Sequence, residues 1–371
     1  MRVGIVGAGI AGLGAAVAFA RRGAEVVVYE RPEATPAAGA GISLLGNGLR
    51  ALDALGLGEP LRAVGTPPEV PTGLRTPDGR WLVRLPATGG PELVVVHRGV
   101  LHDILAAAAP AVEYAAVAEV HGTAADATVV LDSGATRTFD LVVGADGIGS
   151  AIRRSWPEDP GLRYAGYTAW RGVTAGGHEV PAAGETWGRG ERFGVVPLND
   201  GRVYWFATAS VPAGSTAPDE KAELLRRFGG WHDPIPAVLR ATGDHAVLRN
   251  DIADLAAPLP RFVRGRVALA GDAAHAMTPD LGQGGNLALE DAVTLAALTA
   301  GHDLDTALGR YDTTRRRRTA AIARQSRRMG RVAQARNRVA VAVRNALIRP
   351  AAAAGTGRAA ARLQDWRPPD G

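Results

Sequence analysis

The chain has 371 residues, 46% of them hydrophobic, with 48 Gly and 24 Pro, which suits one large globular unit or two interleaved domains with a core deep enough to bury a cofactor. It contains no Cys, which excludes disulfides, thiolate metal sites, cysteine nucleophiles and cysteinyl-linked prosthetic groups and favours the cytoplasm. The net charge of +5 rests on arginine, which supplies 41 of the 42 basic residues, and no apolar run is long enough to span a bilayer.

In chain order, Val3–Val6 reads as a short buried strand, Ala11–Arg22 as an Ala-rich helix and Glu25–Glu30 as a second strand, a βαβ opening with no signal segment before it. Helices are expected over Asn47–Leu55 and His102–Ala109. Hairpins are expected over Leu74–Leu85, turning at Asp78-Gly79, and over Thr128–Val143, turning at Ser133-Gly134. From Leu162 to about Leu255 alternating strands take over. Phe193–Pro197 and Val203–Ser210 join across Asn199-Asp200-Gly201, and a helix follows over Asp219–Phe228. Trp170, Trp187, Trp205 and Trp231 fall in this stretch, where an aromatic-rich sheet would suit a substrate wall, while core packing is the ordinary role of any single Trp. Val267–Ala270 then reads as a buried strand, with helices over Gly284–Ala300, Leu304–Met329 and Arg336–Leu347. The last two carry the positive excess, at Arg315 to Arg318, Arg324, Arg327, Arg328, Arg331, Arg336, Arg338, Arg344 and Arg349. Interleaved with Ala and Val at helical spacing, and without clustered aromatics or a recognition motif, these arginines are expected to form a solvated helix face rather than a nucleic-acid or anionic-membrane patch. No set of His and carboxylates has metal-ligand spacing.

The first strand runs into Gly7-Ala8-Gly9-Ile10-Ala11-Gly12, and Glu30 ends the next strand eighteen residues after the last of these glycines. Gly7 permits the tight turn, Gly9 lets backbone amides approach a pyrophosphate, and Gly12 allows close helix packing. Glu30 is placed to accept from a ribose diol, with Arg31 at the adenine end. This pattern predicts dinucleotide binding without distinguishing NAD from FAD.

Two further segments make that distinction. Asp140-Leu141-Val142-Val143-Gly144-Ala145-Asp146-Gly147, with Ser150 and Arg153, resembles the Asp-Gly segment of the p-hydroxybenzoate hydroxylase-like flavoprotein aromatic hydroxylases. Gly265 to His275, with Pro279 and Gly282-Gln283-Gly284-Gly285-Asn286, resembles the Gly-Asp segment of the same family. The three motifs occur in that family's order and spacing over nearly the whole chain. The resemblance implies an α/β fold: a Rossmann-like FAD-binding domain with an interleaved β-sheet substrate domain and C-terminal helices. It divides the chain into FAD-binding parts at 1–73, 97–161 and 259–300, a substrate-domain hairpin at 74–96, a substrate sheet at 162–258 and a helical region at 301–371. It implies non-covalent FAD bound by Gly7, Gly9, Ala11, Gly12, Glu30, Arg31, Ser43, Arg98, Val117, Asp146, Gly271, Asp272, Gly282, Gln283, Gly284, Gly285 and Asn286. Within this set Asp272 serves the ribityl or pyrophosphate region, and the helix beginning after Gly282 serves the flavin pyrimidine.

The implied activity is that of a cytoplasmic single-component monooxygenase, monomeric or homodimeric. NAD(P)H would reduce the flavin, O₂ would add at C4a, and the resulting hydroperoxide would hydroxylate a small aromatic or heteroaromatic ring. Tyr167-Thr168-Ala169-Trp170-Arg171-Gly172, Gly190-Glu191-Arg192 and Val203-Tyr204-Trp205-Phe206 resemble the urate, salicylate and hydroxybenzoate hydroxylase branch. Carried over to matching positions, Arg192 binds an anionic substituent, Tyr204 donates to a ring carbonyl and Asp280 polarises a ring N–H or a water. Phe193-Gly194 after Arg192 departs from the urate pattern. His275 is expected to be neutral and bonded to the backbone. An FAD-dependent dehydrogenase or oxidase and an epoxidase are alternative readings, and a non-catalytic basic regulator is a third; a halogenase does not fit, because Lys221 lies in a polar stretch.

Overall fold

The structure, a computed structural model, describes residues 1–32, 40–67, 69–87 and 92–369, with the backbone alone for 349 and 351–362. Its centre is a six-stranded sheet in the order Val263–Arg264, Val267–Leu269, Leu141–Gly144, Arg2–Val6, Glu25–Glu30, Val112–Tyr114, parallel except at its first pair. Continuous Val, Ile and Leu in these strands fit burial on both faces. The helix Ile10–Ala20 is almost wholly buried against the helix Gly284–Gly301. Small residues allow that approach, since a Cβ on Gly14 would lie 3.3 Å from the Ala292 Cβ.

A seven-stranded sheet is ordered Leu248–Leu255, Leu162–Val173, Val203–Ala209, Glu191–Pro197, Gly184–Trp187, Thr72–Arg75, Trp81–Leu85. All its pairs are antiparallel except Gly184–Trp187 with Thr72–Arg75. A three-stranded sheet over Val117–Phe139 and the pair Gly41–Leu45 with Leu93–His97 complete the strands. Along the chain, blocks of strands belong in turn to the six-stranded and the seven-stranded sheet, so each sheet is assembled from segments far apart in sequence.

Several expectations change. The span 128–143 is not one hairpin, because Thr136–Phe139 pairs with Ala127–Leu131 while Leu141–Gly144 enters the central sheet. Asp140 marks the switch, its side chain accepting from the Arg2 N–H at 2.6 Å. Three of the four tryptophans pack as core instead of forming a substrate wall, and Trp187 lies on the opposite face of the sheet, paired with Arg192. Trp170 and Trp205 lie on the sheet face covered by the helices Glu220–Phe228 and Ile235–Arg240, where Trp205 stacks on Phe193 at 5.5 Å and Trp231 packs nearby. Those large rings need the deepest apolar space, and the two helices supply it. The last helix runs over Arg338–Gln364, well beyond the expected end.

The C-terminal arginines are only partly solvated. Arg315 is fully buried, with Nε 2.6 Å from Asp291 Oδ1 and a terminal nitrogen 2.6 Å from Glu290 Oε2. Arg318 pairs with both Glu290 oxygens, and Arg327 pairs with the buried Asp254. Helical spacing cannot distinguish a solvated arginine from one whose carboxylate arrives from another helix.

Candidate active site

At the nucleotide end, Gly7 has φ +103°, and a Cβ there would lie 2.4 Å from the Ala145 carbonyl oxygen. A Cβ on Gly12 would lie 1.8 Å from the Gly7 oxygen. Both positions therefore exclude any side chain, and the helix starting at Ile10 sits directly against the strand ends. Gly9 differs: nothing lies within 4 Å of its Cβ position, and as N-cap it leaves the first helical amides without a side-chain cap. Uncapped amides facing open space make an anion site. The Glu30 carboxylate turns toward this loop, accepting from the Ala8 N–H at 2.6 Å and the Arg31 N–H at 3.0 Å. Arg31 and Arg98 are exposed, Ala11 is buried on the inner face of the helix, and Val117 opens the three-stranded sheet opposite Leu131.

At the other end, Gly271 has φ +60°, and its Cβ position lies 2.8 Å from the Ala11 Cβ, so the Gly-Asp segment backs onto the first helix. The next residue, Asp272, is exposed, and its carboxylate takes no hydrogen bond among the described residues. Its Oδ1 lies 3.9 Å from the Cβ position of Gly284, the first residue of the helix Gly284–Gly301. Gly282 takes the left-handed conformation that turns the chain into that helix. The buried Arg153 joins the Asp-Gly and Gly-Asp segments, donating to the carbonyls of Ile148 at 2.8 Å and Ala273 at 3.3 Å and pairing with Asp159 at 3.0 Å.

Some side chains in the cofactor set are engaged with the protein itself. Asn286 accepts from the Leu45 N–H and donates to the carbonyls of Ser43 and Gly282, so it stitches the Gly41–Leu45 strand to the glycine-rich turn. Asp146 caps the short helix Ala151–Arg154, accepting from the Ala151 N–H at 2.8 Å. Among the described residues, two buried atoms of the set remain without a partner, Gln283 Nε2 and Asp146 Oδ1. Buried polar atoms are seldom left so. Together with the open space at Gly9 and the unpaired Asp272 carboxylate, they fit a dinucleotide lying across both loops. Asp272→Ala should therefore weaken flavin retention, measured as the visible absorbance surviving gel filtration, while leaving the thermal midpoint of the flavin-free protein within about 2 °C, because an exposed carboxylate without partners contributes little to folding.

His275 is not bonded to the backbone: its Nε2 lies 2.6 Å from Asp291 Oδ2, which also accepts from the Gly271 N–H at 2.8 Å. Burial acts to raise the pKa of Asp291, but His275, Arg315 and the Gly271 amide outweigh it and hold the carboxyl below its ordinary value. This network underlies the cofactor turn from below.

Of the proposed substrate residues, two meet and one stands apart. Arg192, 3% exposed, donates to Asp280 Oδ1 at 2.8 Å, lies 3.7 Å from Glu185 and donates to Thr208 Oγ1 at 3.3 Å. Burial acts to lower the Arg192 pKa, and the two carboxylates override it, so the guanidinium stays charged. Tyr167 donates to the other Asp280 oxygen at 2.9 Å. Burial and the Asp280 charge together push its hydroxyl far above its ordinary pKa. Gln334 donates to Thr208 at 2.6 Å, and a Cβ on Gly330 would lie 2.4 Å from Asp280 Oδ2, so the long C-terminal helix closes this edge.

Tyr204 lies elsewhere on the sheet, clustered with Val95 and Leu198, its ring 2.4 Å from the Cβ position of Gly41. Burial raises its pKa, and Arg171 opposes that shift. Arg171 sits on the same face as Ala169 and Val173 by strand alternation. It pairs across to Phe206, which pairs to Gly194, which in turn pairs to Glu185. Phe206 lies over Gly194, whose Cβ would fall 2.1 Å from the ring, which explains the glycine after Phe193. Half-buried, Arg171 has no salt-bridge partner among the described residues. Tyr167, Arg171, Thr208 and Gln334 received no role from the sequence. Alternation along Leu162–Val173 would have placed Arg171 on the inner face, whereas nothing local marks Gln334.

These features agree with the comparisons to known proteins. The family model described as "FAD binding domain" matches residues 1–326. The aurachin C monooxygenase/isomerase of Stigmatella aurantiaca is 40% identical over 93% of this chain and 93% of its own, and an FAD-dependent urate hydroxylase of Klebsiella pneumoniae is 34% identical over 85% and 86%. The crystal structure of Klebsiella pneumoniae HpxO with FAD and uric acid superposes with a TM-score of 0.87 at 29% identity, covering 98% of this chain and 96% of that one. The chain belongs to the FAD binding domain family and is an FAD-dependent monooxygenase of the p-hydroxybenzoate hydroxylase type.

Proposed function

We propose that the enzyme hydroxylates a small aromatic or heteroaromatic ring bearing an acidic oxygen, that Arg171 and Tyr204 bind this oxygen, and that Arg192, Asp280 and Tyr167 form the fixed wall beside it. The observation that carries this reading is the difference between the two arginines: Arg192 is neutralised by Asp280 at 2.8 Å and Glu185 at 3.7 Å, whereas Arg171, on the same side of the sheet, forms no salt bridge among the described residues. A charge already paired has little left for a substrate anion. Relatives named as urate hydroxylase and 3-amino-4-hydroxybenzoate 2-monooxygenase act on rings of this kind.

When bound, FAD supplies the redox chemistry with NAD(P)H and O₂. The chain's own residues do the rest. Arg171 holds the ring oxygen as its anion, which makes the ring electron-rich, and Tyr204, kept neutral by burial, donates a hydrogen bond. Phe206 and the Gly41–Leu45 strand exclude water. Gly7, Gly9, Gly12, Glu30 and Asp272 bind the cofactor, which the Asn286 and Gln283 contacts position. We place the enzyme in the cytoplasm, as monomer or homodimer.

Arg171→Gln should leave the protein yellow and raise KM for a phenolate or carboxylate substrate about 10- to 100-fold, the effect of losing one charge-assisted hydrogen bond, with a much smaller change in kcat. Steady-state NAD(P)H oxidation scored together with hydroxylated product checks this. Equal KM in wild type and variant would refute the assignment. Arg192→Ala should act differently: it strands the buried Asp280 carboxylate and should cost about 3–5 kcal/mol of stability, read in a denaturant titration.

A further inference from the structure

Between Asp312 and Asp365 the chain has fourteen arginines and no acidic residue. Arg315, Arg318, Arg327 and Arg344 are used inside the protein, but Arg317, Arg324, Arg328 and Arg331 are exposed. Their spacings of seven, four and three put them along one side of the helix Leu304–Ala333. Arg336 and Arg338, also exposed, continue the positive surface through the turn that follows.

The next helix is inside out. The buried side chain among its first eleven residues is Arg344, which donates to the carbonyls of Ala333 at 2.9 Å and Gly188 at 3.1 Å and lies over the Trp187 ring. Its aliphatic residues face outward: Val339 is 70% exposed, Val343 51% and Leu347 60%, at i, i+4 and i+8, with Val332 48% exposed across the turn. A surface helix ordinarily buries such a stripe, and a contiguous exposed apolar patch marks an interaction surface.

We propose that this basic, apolar surface docks the enzyme on an anionic lipid bilayer, with Val339, Val343 and Leu347 entering the headgroup boundary and the surrounding arginines contacting lipid phosphates. Both features of the patch are required by that partner: apolar area and cationic charge together set the strength of interfacial binding. A second copy of the chain fits poorly, because two acid-free positive surfaces would meet and repel. A nucleic acid would satisfy the arginines and leave the aliphatic stripe facing phosphates. The proposal does not depend on which ring the enzyme hydroxylates.

Flotation of the FAD-loaded full chain with vesicles tests it, comparing pure phosphatidylcholine with vesicles containing about one quarter phosphatidylglycerol. The wild type should float only with the anionic vesicles, less so as salt rises. The double variant Val343→Glu, Leu347→Glu should bind them roughly tenfold more weakly or worse, while keeping its flavin absorbance and its turnover of a soluble substrate. Arg328→Gln with Arg331→Gln, on the other helix, should reduce the salt dependence. Failure of the wild type to float with anionic vesicles at low salt would overturn the proposal, as would equal flotation of the Glu variant. A wild-type dimer that becomes a monomer in the Glu variant, without vesicle binding by either, would assign the stripe to self-association instead.

Discussion

Gly9→Trp is expected to produce a folded, colourless protein. The position is exceptional within its own motif: Gly7 and Gly12 admit no Cβ without striking backbone, yet Gly9 faces space with nothing within 4 Å. A Trp side chain can therefore leave the backbone without a clash at its Cβ and projects into the volume through which a pyrophosphate must come to reach the helix amides. The thermal midpoint of the flavin-free protein should move by less than about 2 °C, and affinity for added FAD should fall by at least about a hundredfold, through loss of the anion contacts. Absorbance near the flavin bands after reconstitution measures it. Gly12→Val provides the contrast, since its Cβ position is 1.8 Å from the Gly7 oxygen; that variant should lose stability as well as colour. Retained yellow colour in Gly9→Trp would mean that the cofactor does not use this loop.

Arg315→Met should be strongly destabilising, by about 3–5 kcal/mol, a fall in Tm of about 5–10 °C. Arg315 is fully buried and bonds two buried carboxylates, Glu290 and Asp291, each at 2.6 Å. Removing it leaves Glu290 with Arg318 and the Asn47 amide, and Asp291 with His275 and the Gly271 N–H. The pH dependence follows from Asp291, whose carboxyl is held below its ordinary pKa by His275 and Arg315 against the opposing effect of burial. A depressed carboxyl stabilises the fold above its unfolded pKa, and that contribution is lost as pH falls through the folded value. Without Arg315 the folded pKa rises, so acid unfolding should begin at a higher pH in the variant than in the wild type. Circular dichroism across an acid titration measures the midpoint; an unchanged midpoint would show that Arg315 is replaceable there.

Because the same network supports Gly271, these two predictions address one structure from opposite sides. Asp291 accepts from the Gly271 amide at 2.8 Å, so weakening the buried ion cluster should also loosen the turn that presents Asp272. Arg315→Met should accordingly retain less flavin than its stability loss alone explains, an excess that flavin release measured well below the melting temperature would reveal.

The amino-acid sequence by itself determined the local devices. The glycine pattern from Gly7 to Gly12 demanded a turn that only glycine can make, Glu30 closed the βαβ unit, and the Gly-Asp segment, through its resemblance to the flavoprotein hydroxylases, implied a second approach to the same nucleotide. These were legible because each depends on backbone conformation within a few residues. The hairpin at Asp78-Gly79 and the pairing of Phe193–Pro197 with Val203–Ser210 were readable for the same reason. Tertiary structure alone decided what depends on partners distant in sequence. It paired Arg192 with Asp280, 88 residues away, left Arg171 without a salt bridge on that face among the described residues, and set the Tyr204 ring against Gly41. It turned Trp170 and Trp205 away from the site. It also buried Arg315 beside Glu290 and Asp291 while leaving Val339, Val343 and Leu347 in solvent. A residue type shows which charges and apolar groups a chain carries; which of them are neutralised, buried or left exposed is set by whatever the fold brings opposite, and Coulomb and burial energies depend on that distance.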